Sequence, residues 1–211
     1  MKNYLFSNVI VFICSHIFAL LWYHTNQKSY LFSYACIIIA GFDPTLPTMI
    51  ITECVLVYHE KRYTDALCRA LGDLLTGHAV WVSYDMVNSQ DVYGRMMFRN
   101  LTGAGFTVPG FSDYPTLESQ EKRFRETGWG ISSSSESEHT EKEEEGEEET
   151  QEQPSQGGIE STTMLAAYNN LVTPEEKVRI ARLQIFDEIE EWNMLMSHYC
   201  LTIAEKGEEE I

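Results

Sequence analysis

A chain of 211 residues with 44% hydrophobic and 12% aromatic residues is long enough to enclose one core of ordinary size, and it falls in the globular class. Its formal net charge of -17, much of it in one acidic run between Ser135 and Gln153, argues against a nucleic-acid binder, since there is no basic stripe to release counterions from phosphates. Cys14, Cys36, Cys54, Cys68 and Cys200 lie far apart with no CxxC pair, which excludes both a zinc cage and a disulfide framework and places the chain in a reducing compartment.

The first forty residues stand apart. LFSNVIVFICSHIFALLWY, Leu5 to Tyr23, carries no acidic or basic charge and follows Lys2; its length suits an apolar helix that crosses a bilayer or serves as a signal anchor. Ser7, Asn8, Ser15 and His16 dilute it, and YLFSYACIIIAG is too short to span alone. Residues 1–40 therefore read as an apolar leader, either a membrane helix or a non-native amino terminus, ahead of an abrupt change in composition at Gly41.

From Phe42 strand and helix alternate. TMIITECVLVY is a nearly continuous β-branched and aliphatic run behind a DPTLP turn, as in a parallel strand covered on both faces. KRYTDALCRALGDLLTG places Ala66, Ala70, Leu71, Leu74 and Leu75 on one helical stripe and stops at Gly77. Ala79 to Val87 is a second strand, DVYGRMMFRNL a helix ending near Gly103, and GAGFTVPGF a loop. Thr116 caps the helix of TLESQEKRFRETGW. TTMLAAYNNL is a short helix, TPEE starts another from Thr173 and Pro174, and HYCLTIAEKG closes as a strand, with Cys54 and Cys200 buried. This alternation predicts a largely parallel sheet with right-handed crossovers.

Ser132 to Gly158, which contains SESEHTEKEEEGEEETQEQ, has no apolar periodicity and too little hydrophobic surface to offset its ordering entropy. It reads as a disordered acidic surface insertion within a body spanning 41–207.

In open α/β sheets, ligands sit beyond the carboxyl ends of the strands. Glu53 and Tyr58 lie at or toward such an end. Glu53 then either faces a bound cofactor or pairs with an arginine or helix terminus, and spacing alone leaves both open. Asp85, Asp91, His59 and His198 are explained by a polar strand end, a helix cap, a surface position and a helix-to-strand junction.

Three blocks in order, GFDPTLPTMIITECVLVY, TLESQEKRFRETGW and FDEIEEWNMLMSHYCL, resemble the leucine carboxyl methyltransferases. The resemblance covers Gly41 to Gly207 apart from the acidic insertion. It implies a Rossmann-like α/β class I S-adenosylmethionine-dependent methyltransferase fold, of which this chain holds mainly the second half behind an unrelated apolar helix. It also implies S-adenosyl-L-methionine as cofactor, contacted by Glu53, and Tyr58 near the substrate carboxylate, with no metal required. The implied substrate is the C-terminal leucine of the protein phosphatase 2A catalytic subunit, and the implied protein is a cytoplasmic monomer whose only membrane association would run through residues 5–23. The glycine-rich loop, ribose-binding acid and substrate-clamping arginine of the family's first half have no counterpart in Met1 to Ala40. This predicts weak methylation by this chain, or a non-catalytic half-domain that still docks on the phosphatase.

Limited proteolysis tests the partition of the body. Brief trypsin or glutamyl-endopeptidase treatment is expected to cut first within Ser132 to Gly158; cleavage of the flanking helices while that block stays whole contradicts it.

Overall fold

In the computed structural model, the structure describes residues 8–13 by their backbone, and 43–130, 158–183 and 187–207. The acidic block lies outside the described residues apart from Gly158.

Five strands form one sheet in the order β1-β2-β3-β5-β4: β1 Asn8–Ile13, β2 Thr48–Glu53, β3 Ala79–Met86, β4 Ile159–Thr163 and β5 Tyr199–Lys206. The first three are parallel, while β5 runs antiparallel to both β3 and β4. The expectation of a largely parallel sheet therefore holds for one side only: the closing strand enters between β3 and β4 with opposite direction.

Part of the leader also differs from the helical reading. Asn8–Ile13, inside the apolar run Leu5 to Tyr23, forms β1 along the edge of β2 from Asn8↔Thr48 to Ile13↔Glu53. Consecutive Val9, Ile10 and Val11 favour the pleated backbone, and pairing satisfies amides and carbonyls that an open β2 edge would expose. The rest of that run lies outside the described residues, and among the described residues no helix is long and apolar enough to cross a membrane.

β2 ends earlier than the sequence pattern suggests. Thr48, Ile50 and Thr52 are buried, Met49 and Ile51 are half-buried, and Glu53 is exposed, so the strand shows the period of two and is not equally covered on both faces. The chain then leaves the sheet at Cys54, whose φ of 49° is left-handed, and Leu56–Tyr58 forms a 3-10 turn. LVY, expected as strand, is thus a turn that carries Tyr58 away from the sheet axis.

The first helix, α1, Lys61–Leu74, buries Thr64, Cys68 and Leu71, with Leu75 just beyond its end, while Ala66 of the expected stripe is exposed. The stripe is rotated because larger side chains gain more from burial than alanine does. α2, Val92–Gly103, is capped by Asp91, whose carboxylate accepts from the Gly94 amide at 2.7 Å. The expected loop after it contains a short helix, α3, Pro109–Asp113, entered through proline. Gly110 lets α3 lie on the turn: a Cβ there would sit 2.8 Å from the Leu56 carbonyl oxygen and from Val57 Cα. α4, Leu117–Glu126, opens with a capping box between Thr116 and Ser119. The short β4 is polar and was not evident from hydrophobic pattern. It feeds α5, Met164–Leu171, capped by Thr163. α6, Pro174–Ala181, is capped by Thr173, which accepts from the Glu176 amide, and α7 is Ile189–Ser197.

The main core joins β2, β3, α1 and the end of α4. Trp81 meets Phe124 edge-on at 5.3 Å and Trp129 at 5.4 Å, geometries favoured by ring quadrupoles. Both buried indoles find acceptors: Trp81 Nε1 donates to Thr52 Oγ1 at 2.9 Å, and Trp129 Nε1 to the Cys68 carbonyl at 3.0 Å. A second apolar cluster, Val57, Met86, Val108 and Phe111, is joined by Cys54, Tyr58, Met97, Phe98, Leu101 and Tyr199. It seats the turn against α2 and α3.

Candidate functional site

Alternation along the strands sorts the carboxyl ends of β2 and β3 into two chemically different faces. Glu53 is paired in register with Tyr84, and Tyr84 stacks on Tyr199 at 5.2 Å with rings 7° from parallel. Thr52, Ser83 and Asp85 occupy the opposite face, and all three are buried.

Glu53 is exposed, and among the described residues its carboxylate takes no hydrogen bond or ion pair. Of the two roles that spacing left open, the arginine-paired or helix-capping one finds no partner here. The carboxylate stands at the carboxyl edge beside a phenol whose ionisation is strongly opposed, first by burial and then by neighbouring groups that include Cys54, Tyr199 and Glu53. Tyr84 therefore stays neutral. Tyr58 is half-buried, with its ring against the second apolar cluster. The left-handed Cys54, whose amide donates to the Tyr84 carbonyl at 2.8 Å, makes the bend that brings Tyr58 to the same end of the sheet.

The other face holds the most deeply buried ion pair among the described residues. Asp85 was expected to be a polar strand end, yet its side chain is 2% exposed and that of Arg123 is 0% exposed, with Nη1 and Oδ2 3.8 Å apart. Burial pushes the Asp85 carboxyl up to about 6, against the opposing pull of the Arg123 guanidinium and the Met86 and Val57 amides. The Met86 amide donates to Asp85 Oδ1 at 3.0 Å. Arg123 lies 3.6 Å from the centroid of the Tyr114 ring, whose hydroxyl donates to Asp65 and accepts from Lys61. Gln120 Nε2 donates to the Met86 and Tyr114 carbonyls. The sequence block TLESQEKRFRETGW thus supplies Gln120, Arg123, Phe124 and Trp129 to the interior, beneath the turn that carries Tyr58. Only the cap at Thr116 stands out in that block from sequence; helical spacing could have marked Gln120, Arg123 and Phe124 as one inward stripe, but an arginine is seldom fully buried.

His198 is buried at the C-terminus of α7, with Nε2 2.9 Å from both Asp91 carboxylate oxygens and Nδ1 2.7 Å from the Met194 carbonyl. Asp91 is the expected cap and also joins α2 to α7. Its carboxyl lies below its usual value, chiefly because of the Gly94 amide and also because of His198. His59, expected on the surface, is half-buried, and burial lowers its pKa. Cys200 is buried as expected and burial pushes its thiol up to about 12, whereas Cys54 is only half-buried because it sits at the bend.

The mixed sheet, with its antiparallel closing strand inserted beside β3 and its candidate groups at the carboxyl edge, is a Rossmann-like α/β arrangement. By sequence the chain resembles the leucine carboxyl methyltransferases. It is 32% identical over 165 residues to the leucine carboxyl methyltransferase 1 homolog of Arabidopsis thaliana, covering 78% of this chain and 41% of that protein. It is 30% identical over 167 residues to leucine carboxyl methyltransferase 1 of Yarrowia lipolytica, covering 79% and 43%. The tRNA wybutosine-synthesizing protein 4 of Rattus norvegicus is 27% identical over 169 residues, covering 80% of this chain and 21% of that protein. The chain spans about two fifths of the length of the leucine carboxyl methyltransferases it matches. No family model matches. Among solved structures, phosphoethanolamine N-methyltransferase 2 of Haemonchus contortus aligns with a TM-score of 0.36 and 13% identity over 76% of this chain and 33% of that one.

The buried pair yields a pH-dependent expectation. Because the folded-state pKa of Asp85 is raised, its own contribution favours the fold below the unfolded carboxylate value and is lost as pH rises through about 6. Arg123→Met leaves an uncompensated buried carboxylate and is expected to cost about 3–5 kcal/mol at pH 7.5. The deficit shrinks at pH 5, where Asp85 takes up a proton in the folded protein. Urea unfolding at the two pH values checks this; a deficit independent of pH contradicts it.

Proposed function

We propose that the chain carries the second-half wall of an S-adenosylmethionine-dependent O-methyltransferase site that esterifies the C-terminal leucine carboxylate of the protein phosphatase 2A catalytic subunit. The observation that supports this most is Glu53: a carboxylate at the carboxyl end of a parallel strand, exposed and without an ion pair or hydrogen bond among the described residues. A donor-rich ligand such as the nucleoside and amino-acid portions of S-adenosylmethionine suits that group. When bound, the cofactor supplies an electrophilic methyl on a sulfonium.

The remaining chemistry asks little of acids or bases. A carboxylate is already ionised near neutral pH, so its oxygen would need no base to accept the methyl, whose bonding pair would leave with the sulfur. The protein's part is alignment and exclusion of water. Glu53 would accept hydrogen bonds from the cofactor and hold it at the edge. Tyr58, at the end of the turn, would donate its phenolic hydrogen to the substrate carboxylate. The apolar cluster behind Tyr58 fixes where the turn stands. The charge balance favours this substrate over the RNA suggested by the wybutosine relatives, because a net charge of -17 repels a polyphosphate.

The test is transfer of labelled methyl from S-adenosylmethionine to a short peptide ending in leucine, compared with the same peptide as its C-terminal amide. We expect slow incorporation as a base-labile ester into the free acid alone. Glu53→Ala is expected to raise the cofactor KM about tenfold or more, as loss of a charged hydrogen bond does, and Tyr58→Phe to raise the peptide KM. No carboxylate-dependent label, or label that both variants leave unchanged, overturns the reading.

A further inference from the structure

We propose that a cleft between α2 and α3 binds an acidic polypeptide segment, making Arg95 and Arg99 specificity determinants for residues that precede the methylated terminus; the placement of that segment rests on the function proposed above. The cleft encloses about 650 Å³ and is lined by Ser89, Gln90, Val92, Arg95, Phe98, Arg99 and Ser112. None of these residues is acidic. Arg95 and Arg99 lie one helical turn apart on α2, so their Cβ atoms stand on one face about 6 Å apart and both side chains line the same cleft, where each can offer a fork of donors to a carboxylate. Both are exposed, and neither has an ion pair among the described residues. The basic residues Lys61, Arg62, Lys122, Arg123, Arg125 and Arg179, in contrast, all face carboxylates. Arg69, Lys177, Arg182 and Lys206 also lack an ion pair among the described residues, but Arg95 and Arg99 are the two that line one cleft together.

The cleft has the other components of peptide recognition. Arg95 donates to the Gln90 carbonyl, which fixes it at the start of α2. Val92 is largely exposed and offers apolar contact, while Ser89 and Ser112 bring hydroxyls. Phe98 belongs both to the cleft and to the apolar cluster that holds Tyr58, so the cleft leads toward the end of the sheet where the terminal carboxylate would sit. Charge complementarity therefore selects an acidic peptide. A polyanionic RNA is disfavoured, since two arginines against a net charge of -17 release few counterions.

The experiment uses the full chain and fluorescent peptides in anisotropy titrations at low and physiological salt. One peptide carries consecutive glutamates followed by a C-terminal leucine; a second has glutamines in their place; a third is the glutamate peptide with an amidated terminus. We expect the glutamate peptide to bind about tenfold tighter than the glutamine peptide, and Arg99→Gln to remove most of that preference. Arg99→Lys should keep part of it, and Arg125→Gln, on α4, should keep all of it. The amide reports on the parent reading separately. If leucine-carboxylate recognition is wrong, the amide binds as well as the acid while the arginine-dependent preference persists. Equal binding of the glutamate and glutamine peptides, a preference that Arg99→Gln leaves intact, or equally effective competition by a single-stranded RNA of matched charge overturns the proposal.

Discussion

A carboxylate and a guanidinium, Asp85 and Arg123, are shut away from water beside one another, and the carboxyl end of the sheet is organised around them. Neither charge is tolerable there alone. Their pairing ties β3 to α4, and the Tyr114 ring under Arg123 extends the tie to Asp65 and Lys61 on α1. The Val57 amide contributes to holding Asp85 in its charged form, so the turn that carries Tyr58 is coupled to the same buried carboxylate.

Two faces of one strand end thus do separate work. The face of Thr52, Ser83 and Asp85 is closed over by α4 and stores the structural charge pair. The face of Glu53, Tyr84 and Tyr199 stays accessible and offers one carboxylate without a partner among the described residues, next to neutral phenols. A shift of one residue in the register of β2 would exchange these roles, burying Glu53 and exposing Thr52. The left-handed Cys54 and the close approach of Gly110 to the turn hold that register at its end.

Much of this was legible in the sequence where local chemistry decides. The caps at Thr116, Thr173 and Asp91 stand where their side chains satisfy orphan amides, and the aliphatic runs from Thr48 and Ala79 form neighbouring parallel strands. What escaped depends on tertiary context. IESTT is too polar to announce a strand and pairs only because β5 offers an edge. The VIVFI run has the composition of either a strand or an apolar helix, and the edge of β2 decides in favour of the strand. LVY is β-branched and aromatic enough for a strand, but the bend at Cys54 and the seat provided by α3 make it a turn. At the candidate site, Glu53 is singled out in the sequence by its motif and its place at a strand end, whereas the positions of Tyr84, Tyr199 and Arg123 depend on face parity and long-range packing that spacing along one segment does not reveal.

The central claim is that Glu53 and the turn to Tyr58 form one wall of a cofactor site. Amide chemical-shift mapping by nuclear magnetic resonance during titration with S-adenosylhomocysteine, which occupies such a site without turnover, tests it most directly. The account predicts saturable shifts at Glu53, Cys54, Val57, Tyr58 and Tyr84, with the opposite end of the sheet at Gly77, Ala79 and Lys206 unchanged. Saturable shifts confined to that opposite end, or none at the carboxyl edge at concentrations far above those at which methyltransferases bind this compound, would contradict it.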